Sequence, residues 1–234
     1  MSAPDDWTAR MRCCLIAERA QCRGDLFSTV EAALAAGLGA VQLREKTATT
    51  RELYELAGAL RDLTHRHNAL LLINDRVDIA LAVGADGVHL GWQSLGLADV
   101  RRLCEAHLRG ASLGAGEPAC PGAAADRRTV LVGRSVHNME EAREAVAVGA
   151  DYLFAGPVFD TPSKAGLVPT LGIDGLRAIC AAFDRPVFGL GGIDADNAAS
   201  VIEAGARGVA VIRAVLSAAD PAAAASQLLA ATSV

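Results

Sequence analysis

AALAAGLGAVQL at 32–43, ALAVGADGVHL at 80–90, AVAVGADYLFA at 145–155 and VIEAGARGVAV at 201–211 are one unit written four times. Each copy is an alanine-rich helical stretch, then a glycine (Gly37, Gly84, Gly149 or Gly205), then a short apolar run. Glycine at that point tolerates the left-handed backbone that closes a helix. Four or five residues rich in Val, Leu and Ile then suit a strand buried on both faces. The alternation continues between the copies. It predicts strands at 12–17, 39–43, 69–73, 86–90, 129–134, 151–155, 186–190 and 207–212. Helices are predicted at 26–36, 50–66, 77–82, 97–107, 138–147, 173–183, 194–203 and 221–231. Thr50 with Glu52, Asn138 with Glu141 and Asp194 with Asn197 read as N-terminal caps. Eight strands alternating with eight helices are what a closed parallel barrel requires, so the expected class is α/β, a (β/α)8 TIM barrel formed as one domain over 1–234. The competing open, doubly wound sheet usually carries a glycine-rich turn after its first strand. Here that segment reads ERAQCRGD, with no GxGxxG. The Ala-, Gly- and Pro-rich stretch 109–128 precedes the fifth strand and is expected to be a surface insertion on the face away from the chemistry.

Composition narrows the partners. Of 234 residues, 52% are hydrophobic and 21% charged, the profile of a folded core and not of a disordered chain. A net charge of −5 and the lack of any lysine or arginine run argue against nucleic acid. No apolar stretch approaches the roughly 18 residues of a membrane span. The first ten residues carry Asp5 and Asp6 and lack the apolar core of a signal peptide, so a cytoplasmic location is expected. The 6 cysteines form no CxxC pair and read as reduced, packed thiols. The oligomeric state is left open, a homo-oligomer included.

In a parallel barrel the loops after the strands share one face, and polar residues there converge although far apart in sequence. Gln42, Arg44 and Lys46 follow the second strand, and Asn74, Asp75 and Arg76 the third. His89 and Ser94 follow the fourth, Ser135 and His137 the fifth, Thr161, Ser163 and Lys164 the sixth, and Gly191 and Gly192 the seventh. Arg44, Lys46, Arg76 and Lys164 in one mouth of an acidic protein would repel one another unless an anion offset them, which favours a phosphate or diphosphate substrate. Asp75 is placed to hold Mg²⁺ on such a group. Gly189 to Gly192, ahead of a helix, offer backbone N–H groups where barrels often take a phosphate. Ser135 and His137, two apart in an extended stretch, lean to the same side. His89, alone at a strand end, reads as a hydrogen-bonded structural group.

The motifs VQLREK (41–46), INDRVDIA (73–80), GADGVHLG (84–91), GRSVH (133–137), GADYLFAGPVFDTPSK (149–164) and GLGGIDADN (189–197) resemble those of the thiamine phosphate synthase and TenI (thiazole tautomerase) superfamily, in the right order along the chain. The resemblance implies a barrel that joins hydroxymethylpyrimidine diphosphate to thiazole phosphate with release of pyrophosphate. It implies that Gln42, Arg44 and Lys46 hold the pyrimidine diphosphate, that Asn74 and Asp75 serve pyrimidine and Mg²⁺, and that Ser135 faces the reaction centre. Thr161, Ser163 and Lys164 would close over the phosphates, with Gly191, Ile212 and Arg213 at the thiazole phosphate. Ser135, His137 and Lys164 are the catalytic candidates. Three positions depart from the synthase pattern: Ser94 stands where a second magnesium-binding Asp is usual, Glu18 follows Ala17 in place of Thr-Asp, and Arg213 replaces a Ser. The synthase is the favoured reading. Its alternatives are a TenI-like tautomerase using His137 as acid and base without a metal, and a non-catalytic binder of thiamine phosphate.

Overall fold

The computed structural model describes residues 7–112, 129–161 and 169–233. A short helix, α1 (Trp7–Arg10), leads into β1 (Cys13–Ala17). There follow α2 (Leu26–Ala35), β2 (Ala40–Leu43), α3 (Thr50–Arg66), β3 (Leu70–Asn74), α4 (Val77–Ala82), β4 (Gly87–Leu90), α5 (Leu97–Ser112) and β5 (Leu131–Val136). The chain continues through α6 (Met139–Ala147), β6 (Tyr152–Ala155), α7 (Gly172–Ala182), β7 (Val187–Leu190), α8 (Ala198–Glu203), β8 (Gly208–Val211), α9 (Arg213–Leu216) and α10 (Pro221–Ala231). The strands pair in parallel in chain order, and β8 closes on β1 with Leu15 opposite Val211, making the barrel that the repeated hinge implies. Gly37, Gly84, Gly149 and Gly205 all carry positive φ, between 63° and 101°, so each hinge is closed as its sequence requires.

Strand alternation divides the core into two layers. Outward residues such as Leu15, Val41, Leu71, Val88, Val132, Leu153 and Val209 pack under the helices. The interior is filled by Cys14, Ile16, Leu70, Leu72, Leu131, Tyr152, Phe154 and Phe188, with Met11 beneath them. The three aromatic rings stand on β6 and β7, and Gly133, where a Cβ would meet the Tyr152 ring, makes room for one of them. Trp7 of α1 packs against Tyr152 with ring centroids 6.0 Å apart, so α1 stoppers the N-terminal end of the barrel and the mouth is left at the other.

α5 runs to Ser112, five residues past its expected end, and three further boundaries move for identifiable reasons. β5 runs to Val136, not to 134, because Ser135 and Val136 go on pairing with Phe154 and Ala155. The α3 cap is Thr49, one residue earlier than read: its hydroxyl accepts from the Glu52 N–H while the Glu52 carboxylate accepts from the Thr49 N–H, a complete capping box. The helix expected from 194 starts only at Ala198, because the Asp194 carboxylate folds back to the Asp196 N–H and the Asn197 amide oxygen to the Asp194 N–H, a local turn that competes with the helix. Asn138 caps α6 as read. The proposed insertion falls largely on 113–128, outside the described residues. Among the described residues, no helix is long and apolar enough to cross a membrane.

Candidate active site

At the C-terminal mouth the inward positions of β2 and β3 change from apolar to amide. Gln42, 1% exposed, donates through Nε2 to the Asn74 Oδ1 at 3.0 Å, and Asn74 donates through Nδ2 to the Asp75 Oδ2 at 2.7 Å. A carboxylate only accepts, so Asp75 fixes which way both amides point. One consequence is that Gln42 Oε1 is buried with no hydrogen-bond partner among the described residues. Asp75 adopts φ +60°, and its other oxygen accepts from the Ser94 hydroxyl and, at 3.3 Å, from the Gly91 N–H. Arg134 donates to the Gly91 carbonyl at 2.8 Å and so pins the β4 loop against the rim.

The cations do not all face one another bare. Arg44 is paired with Glu18 at 3.0 Å, and Arg76 with Asp78 at 2.7 Å as well as reaching Thr50. Two of the four charges are thus offset by carboxylates of the protein itself, which the repulsion argument from sequence did not foresee. Lys46 is exposed just past β2. Arg213, at the start of α9, reaches the Thr161 hydroxyl at 3.4 Å, so the ends of β6 and β8 are brought together. Ser163 and Lys164 lie outside the described residues.

Ser135, the last inward residue of β5, has its Oγ 2.8 Å from His89 Nε2, and His89 Nδ1 is 3.2 Å from the Tyr152 hydroxyl. His89 also stacks on Phe154 with centroids 4.3 Å apart. Burial, aided by the charges of Arg134 and Arg44, pushes the His89 imidazole down from 6.5 to about 3, so it stays neutral when folded. Its structural reading stands, with a partner at the site that the reading lacked. His137 does not join this group: its Nδ1 lies 2.9 Å from the Glu141 carboxylate, which also accepts from the His137 backbone N–H. The pair Ser135 and His137 therefore does not act as a unit.

A pH dependence follows from His89. In the unfolded chain it takes up a proton below about pH 6.5, while the folded protein resists doing so until about pH 3. The unfolded state binds more protons across that window, so stability falls with falling pH by about 1.4 kcal/mol per unit. Urea unfolding should show wild type losing roughly 2 kcal/mol more than His89→Gln between neutral pH and about pH 5. Equal losses would show that His89 is charged in the folded protein.

On the opposite wall the backbone of β7 runs close to the segment after β6. The Val158 and Phe159 N–H groups donate to the Leu190 and Gly191 carbonyls at 2.9 and 3.0 Å. A Cβ on Gly191 would sit 2.7 Å from Pro157 Cβ, and one on Gly192 2.7 Å from Phe159 Cβ, with φ of +99° and +66° at the two glycines. Only glycine meets both demands, and Asn197 holds the Gly192 carbonyl at 2.9 Å. Ile212 leads into α9, beside the same wall.

The sequence bears the same stamp. The family profile described as thiamine monophosphate synthase matches residues 13–117 and 110–215. This chain belongs to that family. It is 45% identical over 207 residues to the thiamine-phosphate synthase of Chloroflexus aurantiacus, covering 88% of this chain and 85% of that protein. It is 46% identical over 197 residues to the thiamine-phosphate synthase of Gloeobacter violaceus, covering 84% of this chain but only 51% of that protein, so the chain spans about half the length of that relative. Among solved structures, thiamine phosphate pyrophosphorylase from Pyrococcus furiosus superposes with a TM-score of 0.81 at 34% identity, covering 97% of this chain and 98% of that one.

Within the family frame, two residues stand at the site that the sequence reading had not placed there. Glu18, noted only as a departure, is the partner of Arg44, and Tyr152, read as strand core, is the partner of His89. Strand parity held the signal for the second: Gly133 and Ser135 alternate inward on β5, and Gly133 lies opposite Tyr152.

Proposed function

We propose that this chain is a thiamine phosphate synthase that takes hydroxymethylpyrimidine diphosphate and thiazole phosphate and releases pyrophosphate. The observation that carries the reading is Gln42 Oε1, buried and without a partner among the described residues, which would accept from an N–H donor on the ligand such as a pyrimidine amino group. Arg44 and Lys46, just past β2, and Ser135, near the end of β5, would take the diphosphate. The glycine wall, Ile212 and Arg213 lie across the mouth for the second phosphate. In the reaction the methylene C–O bond breaks with both electrons leaving on pyrophosphate, and the thiazole nitrogen lone pair forms the new C–N bond. No protein nucleophile is needed. The barrel's part is to hold the two rings in contact and to neutralise charge on the departing diphosphate.

Mg²⁺ fits as a one-carboxylate site. Such ions are commonly held by one or two carboxylates together with substrate phosphate oxygens, and the exposed Asp75, with the Ser94 hydroxyl beside it, offers such a donor set. Among the described residues no group of three or more His, Cys, Asp or Glu side chains is placed to hold a metal ion. When bound, the ion supplies further neutralisation of the diphosphate. Arg44, Lys46 and Lys164 supply the protein's own share, and Thr161 and Ser163 contact the phosphates.

The test is to incubate the purified protein with both substrates and Mg²⁺ and assay pyrophosphate. Release that requires both substrates is the expected result. Isomerisation of a thiazole carboxylate phosphate alone would overturn it in favour of a tautomerase working through His137, whose ring Glu141 holds in place. Neither activity would leave a binding protein.

A further inference from the structure

A serine oxygen 2.8 Å from a histidine nitrogen looks like an activated nucleophile, but hydrogen-bond accounting gives it the opposite polarity. Among the described residues, the only hydrogen-bond partner of the buried Tyr152 hydroxyl is His89 Nδ1. Were the His89 proton on Nδ1, the phenol oxygen would accept it, and the phenol's own O–H would be buried with no acceptor among the described residues, an unfavourable arrangement. An imidazolium would leave the same orphan. With the proton on Nε2, the phenol donates to Nδ1 and Nε2–H donates to Ser135 Oγ. Every buried group is then paired, and the only hydrogen left over is that of the Ser135 hydroxyl, at the partly open mouth.

We propose that Tyr152 and His89 are positioning residues that lock Ser135 as a hydrogen-bond donor aimed at an anionic oxygen of the ligand. The relay crosses three strands: Tyr152 on β6, His89 on β4 and Ser135 on β5 between them. It is rigid because the His89 ring is stacked on Phe154 and the Tyr152 ring is edge-on to Phe188. In the synthase reading, on which the catalytic part of the proposal rests, the donor strengthens its bond as negative charge collects on the leaving diphosphate. It is paid for in advance by the fold.

The test has a spectroscopic and a kinetic arm. Protein labelled with ¹⁵N at histidine is examined by long-range proton–nitrogen NMR, with the His89 ring assigned by its loss in His89→Gln and its perturbation in Tyr152→Phe. The expected pattern is a protonated Nε2 and a bare Nδ1, and a protonated Nδ1 overturns the proposal. In turnover, Ser135→Ala should lower kcat by roughly 10²-fold or more. Tyr152→Phe should lower it by about 10-fold at little change in KM, and the double variant should fall no further than Ser135→Ala alone. Effects that simply multiply would make Tyr152 a packing residue and overturn the relay. A protein with the Nε2–H pattern but no pyrophosphate release would refute the synthase reading while the hydrogen-bond polarity stood.

Discussion

Asp75→Asn should lower kcat/KM by about 10²-fold or more, with little change in unfolding stability. Asparagine tolerates the φ of +60° at this position, so the backbone is spared and the effect isolates the side chain. Asp75 now accepts on both oxygens, from Asn74 on one side and from Ser94 and the Gly91 N–H on the other. An amide has one acceptor and one donor, so one of these contacts becomes donor against donor. If the new NH₂ faces Asn74, that amide turns over and Gln42 with it, and the pocket is offered an N–H where it had an acceptor. If it faces Gly91, the β4 loop is displaced. In either case the negative charge that would hold Mg²⁺ is gone. Steady-state kinetics over a Mg²⁺ series checks this, with His137→Asn, bound to Glu141 at the edge of the site, retaining most of its turnover. Near-normal activity in Asp75→Asn would remove the ladder and the metal together from the account.

Gly133→Ala should destabilise the fold by about 3 kcal/mol or more, the upper end of what overpacking one methyl into a core produces. Gly133 stands between His89 and Tyr152 in the sheet register, and a Cβ there would lie within the Tyr152 ring. The ring has nowhere to go: Trp7, His89, Phe154 and Phe188 all pack on it. Any accommodation that occurs must carry the phenol oxygen off His89, so folded material should also lose activity. Urea unfolding at constant m reads the first effect, and a stability change under about 0.5 kcal/mol would show that the aromatic cluster is loosely packed.

What the sequence made legible is local, and what it hid is mostly cross-strand. The helix-closing glycines and the apolar runs place seven strands within one residue and β5 within two, because a hinge and a buried parallel strand each have a nearest-neighbour cause. The end of β5 failed for a physical reason: Ser135 and Val136 read as lying past the strand, yet they pair as strand, with Ser135 turned inward. Pairing Ser135 with His137 assumed an extended stretch through 137, but the strand stops at Val136. The true partner of Ser135 is His89, 46 positions earlier, and only register brings them together. The charges of Glu18 and Asp78 that answer Arg44 and Arg76 depend on side-chain direction at the rim, which a strand pattern does not specify.

The most direct measurement is a crystal structure of the protein with pyrophosphate and Mg²⁺ bound. The account predicts an anion at the C-terminal mouth, contacting Arg44 and the Ser135 hydroxyl, with the ion on Asp75. A mouth left empty at saturating pyrophosphate, or an anion seated elsewhere with Arg44 still closed on Glu18, would contradict it.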